Sequence, residues 1–144
     1  MRSVFVRLAT RYLGALHRVL YSASGGRIGS RIWGLDIVLL TTTGRRSGRA
    51  RTVPLCSLRD GGSFVVIASY GGLARSPSWW LNLKQDPRAT VQLGRRSHAV
   101  VAREAKHDER ERLWTQVTAR APGYLDYQRR TTRRIPIVLL EHPG

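Results

Sequence analysis

A single cysteine, Cys56, excludes an intrachain disulfide and leaves no thiolate set for a zinc site. Acids are scarce: nine Asp and Glu face 25 Lys and Arg, for a formal net charge of +16. Lysine is nearly absent too, since only Lys84 and Lys106 carry it, leaving 23 arginines that grip phosphate and carboxylate oxygens through a planar fork. The longest apolar runs, such as 37–40 and 135–140, fall far short of the roughly 20 residues a membrane-spanning helix needs. Arg7, Arg11 and Arg18 interrupt the continuous apolar core that a secretory signal requires, so a reducing cytoplasm or its membrane surface is the expected location. His17, His98, His107 and His142 are scattered without ligand spacing, and no metal site is expected. There is no G-x-S-x-G elbow and no evident acid–base pair among the nine carboxylates, which argues against triad and glycosidase chemistry. Neither Gly25–Gly29 nor Gly44–Gly48 completes a dinucleotide fingerprint or a Walker loop. An enzyme built this way relies on a cofactor for the hard step.

What is present is a globular composition, 42% hydrophobic and 24% charged over 144 residues, which suits one domain spanning 1–144. Residues 2–21 read as an amphipathic helix, with Phe5, Leu8, Tyr12, Leu16 and Val19 at spacings of three and four and Arg7, Arg11 and Arg18 opposite. A basic helix of this kind either packs its apolar face on the domain or lies on an anionic membrane. From 35 to 140 the pattern becomes short Val-, Ile-, Leu- and Thr-rich segments, which predict strands at about 35–43, 51–58, 64–70, 89–94, 97–105 and 135–140. Short Gly- and Asp-containing links at 44–50, 60–63 and 94–96 join neighbours as antiparallel hairpins. The expected fold is therefore mainly β within an α+β class: an antiparallel split β-barrel of about six strands. Helices are expected at 77–85, with Ser76 as its cap, at 108–120 and at 123–130.

The most informative stretch is TTTGRRSGRARTVPL at 41–55, where Arg45, Arg46, Arg49 and Arg51 crowd a Gly-flanked turn between two apolar strands. Four like charges at close range are rationalised by a multiply charged anion. Pro54 cannot donate to a ladder, which points to an edge or irregular backbone where a ligand can approach.

This block, followed by VVIASYGG at 65–72, PSWWLNL at 77–83 and PGYLDYQRRTTRRIPIVLL at 122–140, resembles the deazaflavin-dependent nitroreductase family, with the blocks in the family's order. The resemblance implies a split β-barrel related to flavin-mononucleotide-binding oxidases, and coenzyme F-420, an 8-hydroxy-5-deazaflavin with a phosphate and an oligoglutamate tail. It implies that Arg45, Arg46 and Arg51, with Ser47, hold the phosphate and tail, and that Val53, Pro54 and Leu55 lie against the ring. Ala68 and Ser69 are placed by it near the reactive face, Tyr70 and Ser78 at the cofactor, and Trp79 and Asn82 closing over it. Tyr124 and Tyr127 fall where family members place tyrosines over the substrate pocket, so Tyr124, Tyr127 and Ser69 are the expected catalytic groups. The implied reaction passes a hydride to a small apolar acceptor: a quinone, an activated enone or lactone, or a nitroaromatic. Related barrels are often dimers, so a homodimer is expected.

Two positions depart from the family pattern. Tyr70 stands where Lys is frequent, removing one contact to an anionic tail or leaving it to Arg75; Cys56 replaces a frequent aromatic, which leaves more room beside the ring, and reads as a small, buried apolar filler rather than a nucleophile. Arg133 and Arg134 read either as solvated or as a contact for a second anionic partner. The alternatives are a barrel that takes flavin mononucleotide, whose phosphate arginine also holds, and a nonenzymatic nucleic-acid-binding barrel suggested by the charge. Against the latter, the strands carry Ile, Val and Leu rather than exposed aromatics interleaved with Arg.

Overall fold

A computed structural model describes residues 31–32 and 35–144; the helix expected at 2–21 lies outside the described residues. In chain order the elements are β1 (Arg31–Ile32), β2 (Leu35–Thr43), β3 (Ala50–Asp60), β4 (Ser63–Ile67), a 3-10 turn (Tyr70–Gly72), α1 (Ser78–Gln85), β5 (Arg88–Leu93), β6 (Arg96–Glu104), α2 (His107–Arg120), α3 (Gly123–Arg129) and β7 (Ile137–Glu141). Every strand pairing is antiparallel, and the sheet runs β1-β2-β3-β4-β7-β6-β5. Pairing of Leu39–Thr41 with Thr90–Gln92 brings β2 back onto β5 and closes strands β2 to β7 into a six-stranded barrel.

The apolar runs of β4 and β7 follow from burial on both faces. Phe64, Val66, Val138 and Leu140 point into the barrel with Val38, Leu40, Val91 and Val100. Their neighbours Val65, Ile67, Ile137 and Leu139 face outward and are covered by Leu113 and Val117 of α2 and Tyr124 of α3. Strands buried on two sides lose the apolar–polar alternation of a half-exposed sheet. α1 contributes Trp79, Trp80 and Leu83 to the interior cluster, so both tryptophans are core residues.

β3 pairs with β2 along its length, from Ala50 to Ser57, but meets β4 only through Leu58, Arg59 and Asp60. Among the described residues no strand pairs with its other edge from Ala50 to Ser57, and Pro54, paired with Leu39 on β2, sits in that stretch. The edge expected from Pro54 is there, because a residue without an N–H is tolerated where no ladder needs one.

Three local expectations need correction. Ser76 does not cap α1: Pro77 is the N-cap, its carbonyl accepting from the N–H groups of Trp80 and Leu81, and no side chain caps the helix. β4 ends at Ile67 rather than near 70, because Tyr70, Gly71 and Gly72 all adopt positive φ and turn the chain away. The last strand starts at Ile137 rather than 135, since Ile135 and Pro136 instead bond to Gln128 and Ala68.

Leu40 is fully buried in the barrel interior, so Leu40→Ala should destabilise the fold by about 2–5 kcal/mol, read as a lower urea midpoint at unchanged m-value. Leu73→Ala, at a position 52% exposed, should change stability by less than about 0.5 kcal/mol.

Candidate active site

The free edge of β3 forms one wall of a groove. α1 and the segment leaving β4 form the other. At one end a cavity of about 550 Å³ is lined by Thr42, Arg45, Arg46, Ser47, Arg51, Thr52 and Asn82. At the other a cavity of about 450 Å³ is lined by Pro54, Leu55, Cys56, Ile67, Ser69, Tyr70, Pro77 and Tyr124. Val53, Ser78 and Trp79 line both, which makes the two compartments continuous.

The basic end is built by the tight turn between β2 and β3. Gly44 N–H donates to the Arg49 carbonyl and Gly48 N–H to the Gly44 carbonyl, each at 2.8 Å. Gly48 adopts φ +71°, a conformation that favours glycine, and a Cβ on Gly44 would crowd the Arg49 carbonyl oxygen at 3.2 Å and displace Ser47 Oγ. Ser47 Oγ accepts from Arg49 N–H at 3.2 Å and from Arg51 Nη2 at 3.4 Å, which ties the loop to the first residues of β3.

Asn82 reaches the same loop from α1. It is 3% exposed, its Oδ1 accepts from both the backbone N–H and Nη1 of Arg45 at 3.1 Å, and its Nδ2 donates to Thr42 Oγ1 at 3.0 Å. A side chain expected to close over a ligand is thus largely engaged in orienting Arg45. No carboxylate pairs with Arg45, Arg46, Arg49 or Arg51 among the described residues. Asp60, Asp86, Glu109, Asp126 and Glu141 pair instead with Arg112, Arg88, Arg103 and Arg129. Four uncompensated guanidinium groups on one turn leave a concentrated positive field at this end of the groove.

The apolar end is organised around Tyr124. Its ring is 9% exposed and meets Tyr127 edge-on at 5.8 Å. Burial, reinforced by the nearby Cys56 and Tyr127, raises the Tyr124 hydroxyl above the ordinary tyrosine range, so it stays protonated and able to donate. Burial likewise pushes the Cys56 thiol up, so it is neutral rather than a thiolate nucleophile. Cys56 is half-buried and lines the cavity, a correction to the buried filler expected: the free edge of β3 leaves its side uncovered. Tyr70, 43% exposed at the rim, lies under the Arg75 guanidinium at 5.8 Å.

Most residues expected at the site line this groove, but two do not. Ala68 is fully buried, its N–H donating to the Pro136 carbonyl at 3.0 Å and its carbonyl accepting from Arg133 Nη1 at 3.1 Å, and it lines neither cavity. Tyr127 packs on Tyr124 with Arg130 over its ring at 5.7 Å and lines neither cavity. Arg133 is a further correction: rather than solvated, it donates to three backbone carbonyls. Thr42, Thr52 and Pro77 were not singled out as site residues by sequence: Thr52 opposes Thr41, meeting its Oγ1 at 2.8 Å, and Thr42 opposes Arg51, so no shared-face pattern marked them.

A family model for F420H(2)-dependent quinone reductase matches residues 15–142. The chain belongs to that family. It is similar to an F420H(2)-dependent quinone reductase of Mycobacterium tuberculosis, with 41% identity over 129 residues covering 87% of each chain. Among solved structures it is similar to F420-H2 dependent reductase (FDR-A), with TM-score 0.67 and 40% identity over 73% of this chain and 93% of that one. A chain described as a domain-swapped dimer matches with TM-score 0.70 and 35% identity over 98% of this chain and all of that one. The resemblance drawn from the four sequence blocks and the expected barrel are both borne out. The groove fits the family's coenzyme on its own chemistry: uncompensated arginines at one end suit an anionic tail, and the Pro54, Leu55 and Trp79 surfaces at the other suit a flat ring.

Asn82→Ala would leave Thr42 Oγ1 and the Arg45 backbone N–H without their partner. It should cost about 1–3 kcal/mol of stability and weaken coenzyme binding about tenfold, checked by thermal unfolding and fluorescence titration.

Proposed function

We propose that this protein binds reduced coenzyme F-420 along the groove and reduces a quinone, or a similarly small apolar acceptor such as an activated enone, lactone or nitroaromatic, in the cavity beside Tyr124. The observation that carries this reading is the continuity of a carboxylate-free arginine turn with an apolar compartment holding a buried, protonated tyrosine. Arg45, Arg46 and Arg51 hold the phosphate and glutamate tail, with Arg45 pre-oriented by Asn82 and Arg51 steadied by Ser47. Val53, Pro54, Leu55, Ser78 and Trp79 line the slot where the ring is held, and Pro54 lets a ligand approach the β3 edge.

When bound, the reduced deazaflavin supplies the hydride. The protein's task is to exclude water, align the acceptor and stabilise charge on its oxygen. Tyr124 can donate its O–H to that oxygen from a low-dielectric surrounding where such a bond is strong, and Ser69 lines the same cavity as a second polar group. Tyr127 supports Tyr124 from outside the cavity through its edge-on ring.

Replacing Arg46 or Arg51 by Ala should each weaken coenzyme binding roughly 10- to 100-fold, the range for losing charge-assisted bonds, in titrations run beside flavin mononucleotide and a single-stranded oligonucleotide. Tyr124→Phe should leave coenzyme affinity within about twofold and lower turnover by about 10²–10³, the scale of losing one donor to a developing oxyanion. Equal loss of both would place Tyr124 in the structure and not in the chemistry. Because the Tyr124 hydroxyl is held above its ordinary value of 10.0, turnover should show no alkaline inflection from this group between about pH 6 and 9 in a pH–rate profile.

The reading also includes a homodimer, supported by the domain-swapped relative, and peripheral contact of the basic 2–21 segment with anionic lipid, supported by its spacing of apolar and Arg residues. No helix among the described residues is long and apolar enough to cross a membrane. Light scattering should give twice the chain mass, and deleting 1–21 should abolish sedimentation with anionic vesicles; indifference to the deletion counts against that segment as the anchor.

A further inference from the structure

The two walls of the apolar cavity come from distant parts of the chain. Ser69 and Tyr70 follow β4, whereas Tyr124 stands on α3. The wall at 69–72 is not a conformation the chain adopts freely. Tyr70 has φ +46°, Gly71 +64° and Gly72 +79°, three consecutive left-handed residues of which the first carries a bulky side chain. The two glycines adopt this region freely, whereas a tyrosine there persists only where its surroundings over-determine it. The Gly72 N–H to Ser69 and Leu73 N–H to Tyr70 carbonyl bonds close the turn, and one guanidinium ties it to the rest of the fold.

Arg133 Nε donates to the Leu73 carbonyl at 2.8 Å, Nη1 to the Ala68 carbonyl at 3.1 Å and Nη2 to the Ser69 carbonyl at 2.6 Å. All three nitrogens of one planar group are used, each on a different carbonyl 60 to 65 residues away in sequence. The backbone that carries Arg133 is in turn fastened to α3. Gln128 Nε2 donates to the Arg133 carbonyl at 2.8 Å and Gln128 Oε1 accepts from Ile135 N–H at 3.0 Å, four residues beyond Tyr124 on the same helix. Gly72 closes directly on that helix as well: a Cβ there would lie 2.6 Å from the Tyr127 carbonyl oxygen.

We propose that Arg133 is a positioning residue for the acceptor, its guanidinium and Gln128 forming a strap that sets Ser69 and the Tyr70 rim at a fixed place relative to Tyr124. The inference rests on the reading that the acceptor occupies this cavity. Arg133 touches neither cavity and acts through the carbonyls it holds. Lysine cannot substitute, because an ammonium point charge cannot span three carbonyls arranged around a planar fork. The coenzyme's anionic tail is bound on the far end of the groove, so loosening the strap separates acceptor handling from coenzyme affinity.

The test compares wild type, Arg133→Ala, Arg133→Lys, Gln128→Leu and, as a control, Tyr124→Phe in three measurements: amide exchange, coenzyme titration, and kinetics with a water-soluble short-chain quinone. Expected for the Arg133 variants are faster exchange confined to 69–74, including the Gly72 and Leu73 amides that bond within the turn, and coenzyme affinity within about twofold. The quinone kcat/KM should fall about 10- to 100-fold, the scale of a misplacement near 1 Å. Gln128→Leu should reproduce the pattern more weakly, and it carries the test if Arg133→Ala does not fold. Added guanidinium ion should partly restore Arg133→Ala and leave Tyr124→Phe unchanged. Unchanged exchange and kcat/KM in Arg133→Ala overturn the proposal, as does faster exchange spread over the whole barrel with coenzyme affinity lost in step. Failure of the wild type to reduce any quinone overturns instead the functional reading, and the exchange pattern then upholds or overturns the strap by itself.

Discussion

The site exists because two strands that are neighbours in sequence part company after three residue pairs. β3 stays in register with β2 to its start at Ala50, yet its ladder with β4 covers only Leu58–Asp60. The barrel is nonetheless closed, since β4 finds β7 and β5 finds β2. An edge of unsatisfied backbone is ordinarily a hazard for a β protein, inviting pairing with another chain. Here that edge faces α1 and the 69–72 turn across a groove. The groove inherits a continuous backbone wall, a proline that asks nothing of it, and side chains pointing alternately toward and away from the ligand space.

On that wall the charges are arranged so that little inside the protein answers them. A chain with nine acids has few to distribute, and five of them are committed to arginines outside the turn at 44–49. The cost of holding Arg45, Arg46, Arg49 and Arg51 together is met by anchoring the loop, through Asn82, the Gly44–Arg49 and Gly48–Gly44 bonds, and Ser47. The turn is thus built before any ligand arrives, which reduces the ordering an anion must impose. At the other end the chemistry is reversed: a low-dielectric compartment keeps Tyr124 and Cys56 neutral, so a hydrogen-bond donor is available where a permanent charge would be expensive.

The legibility of the fold in the sequence varied with the kind of interaction involved. Strands and helices were readable because Val-, Ile- and Leu-rich runs, Gly-Asp turns and 3.6-residue spacing act over a few residues. Their ends were less so: Ser76 looked like a cap, but Pro77 already fixed the backbone and its carbonyl took the first bonds. The arginine turn was legible because like charges cannot crowd without a reason. The role of Asn82 was not, since its partners Thr42 and Arg45 lie 40 and 37 residues away. Arg133 was misread for the same reason: beside Arg134 it looks like a solvated pair, and nothing local announces three carbonyls from a distant turn.

By itself, then, the sequence determined the class of the molecule: a small antiparallel barrel with one cysteine, an arginine turn suited to a polyanion and a tyrosine-bearing helix near its end. These follow from composition and local pattern, which need no knowledge of what lies across the sheet. Tertiary structure alone decided that β3 parts from β4 along the groove, that Asn82 fixes Arg45 and that Arg133 fixes the backbone at 68–73. Those outcomes depend on where β3 loses its partner and on hydrogen bonds between segments far apart in the chain, and such pairings are chosen by closure of the whole barrel.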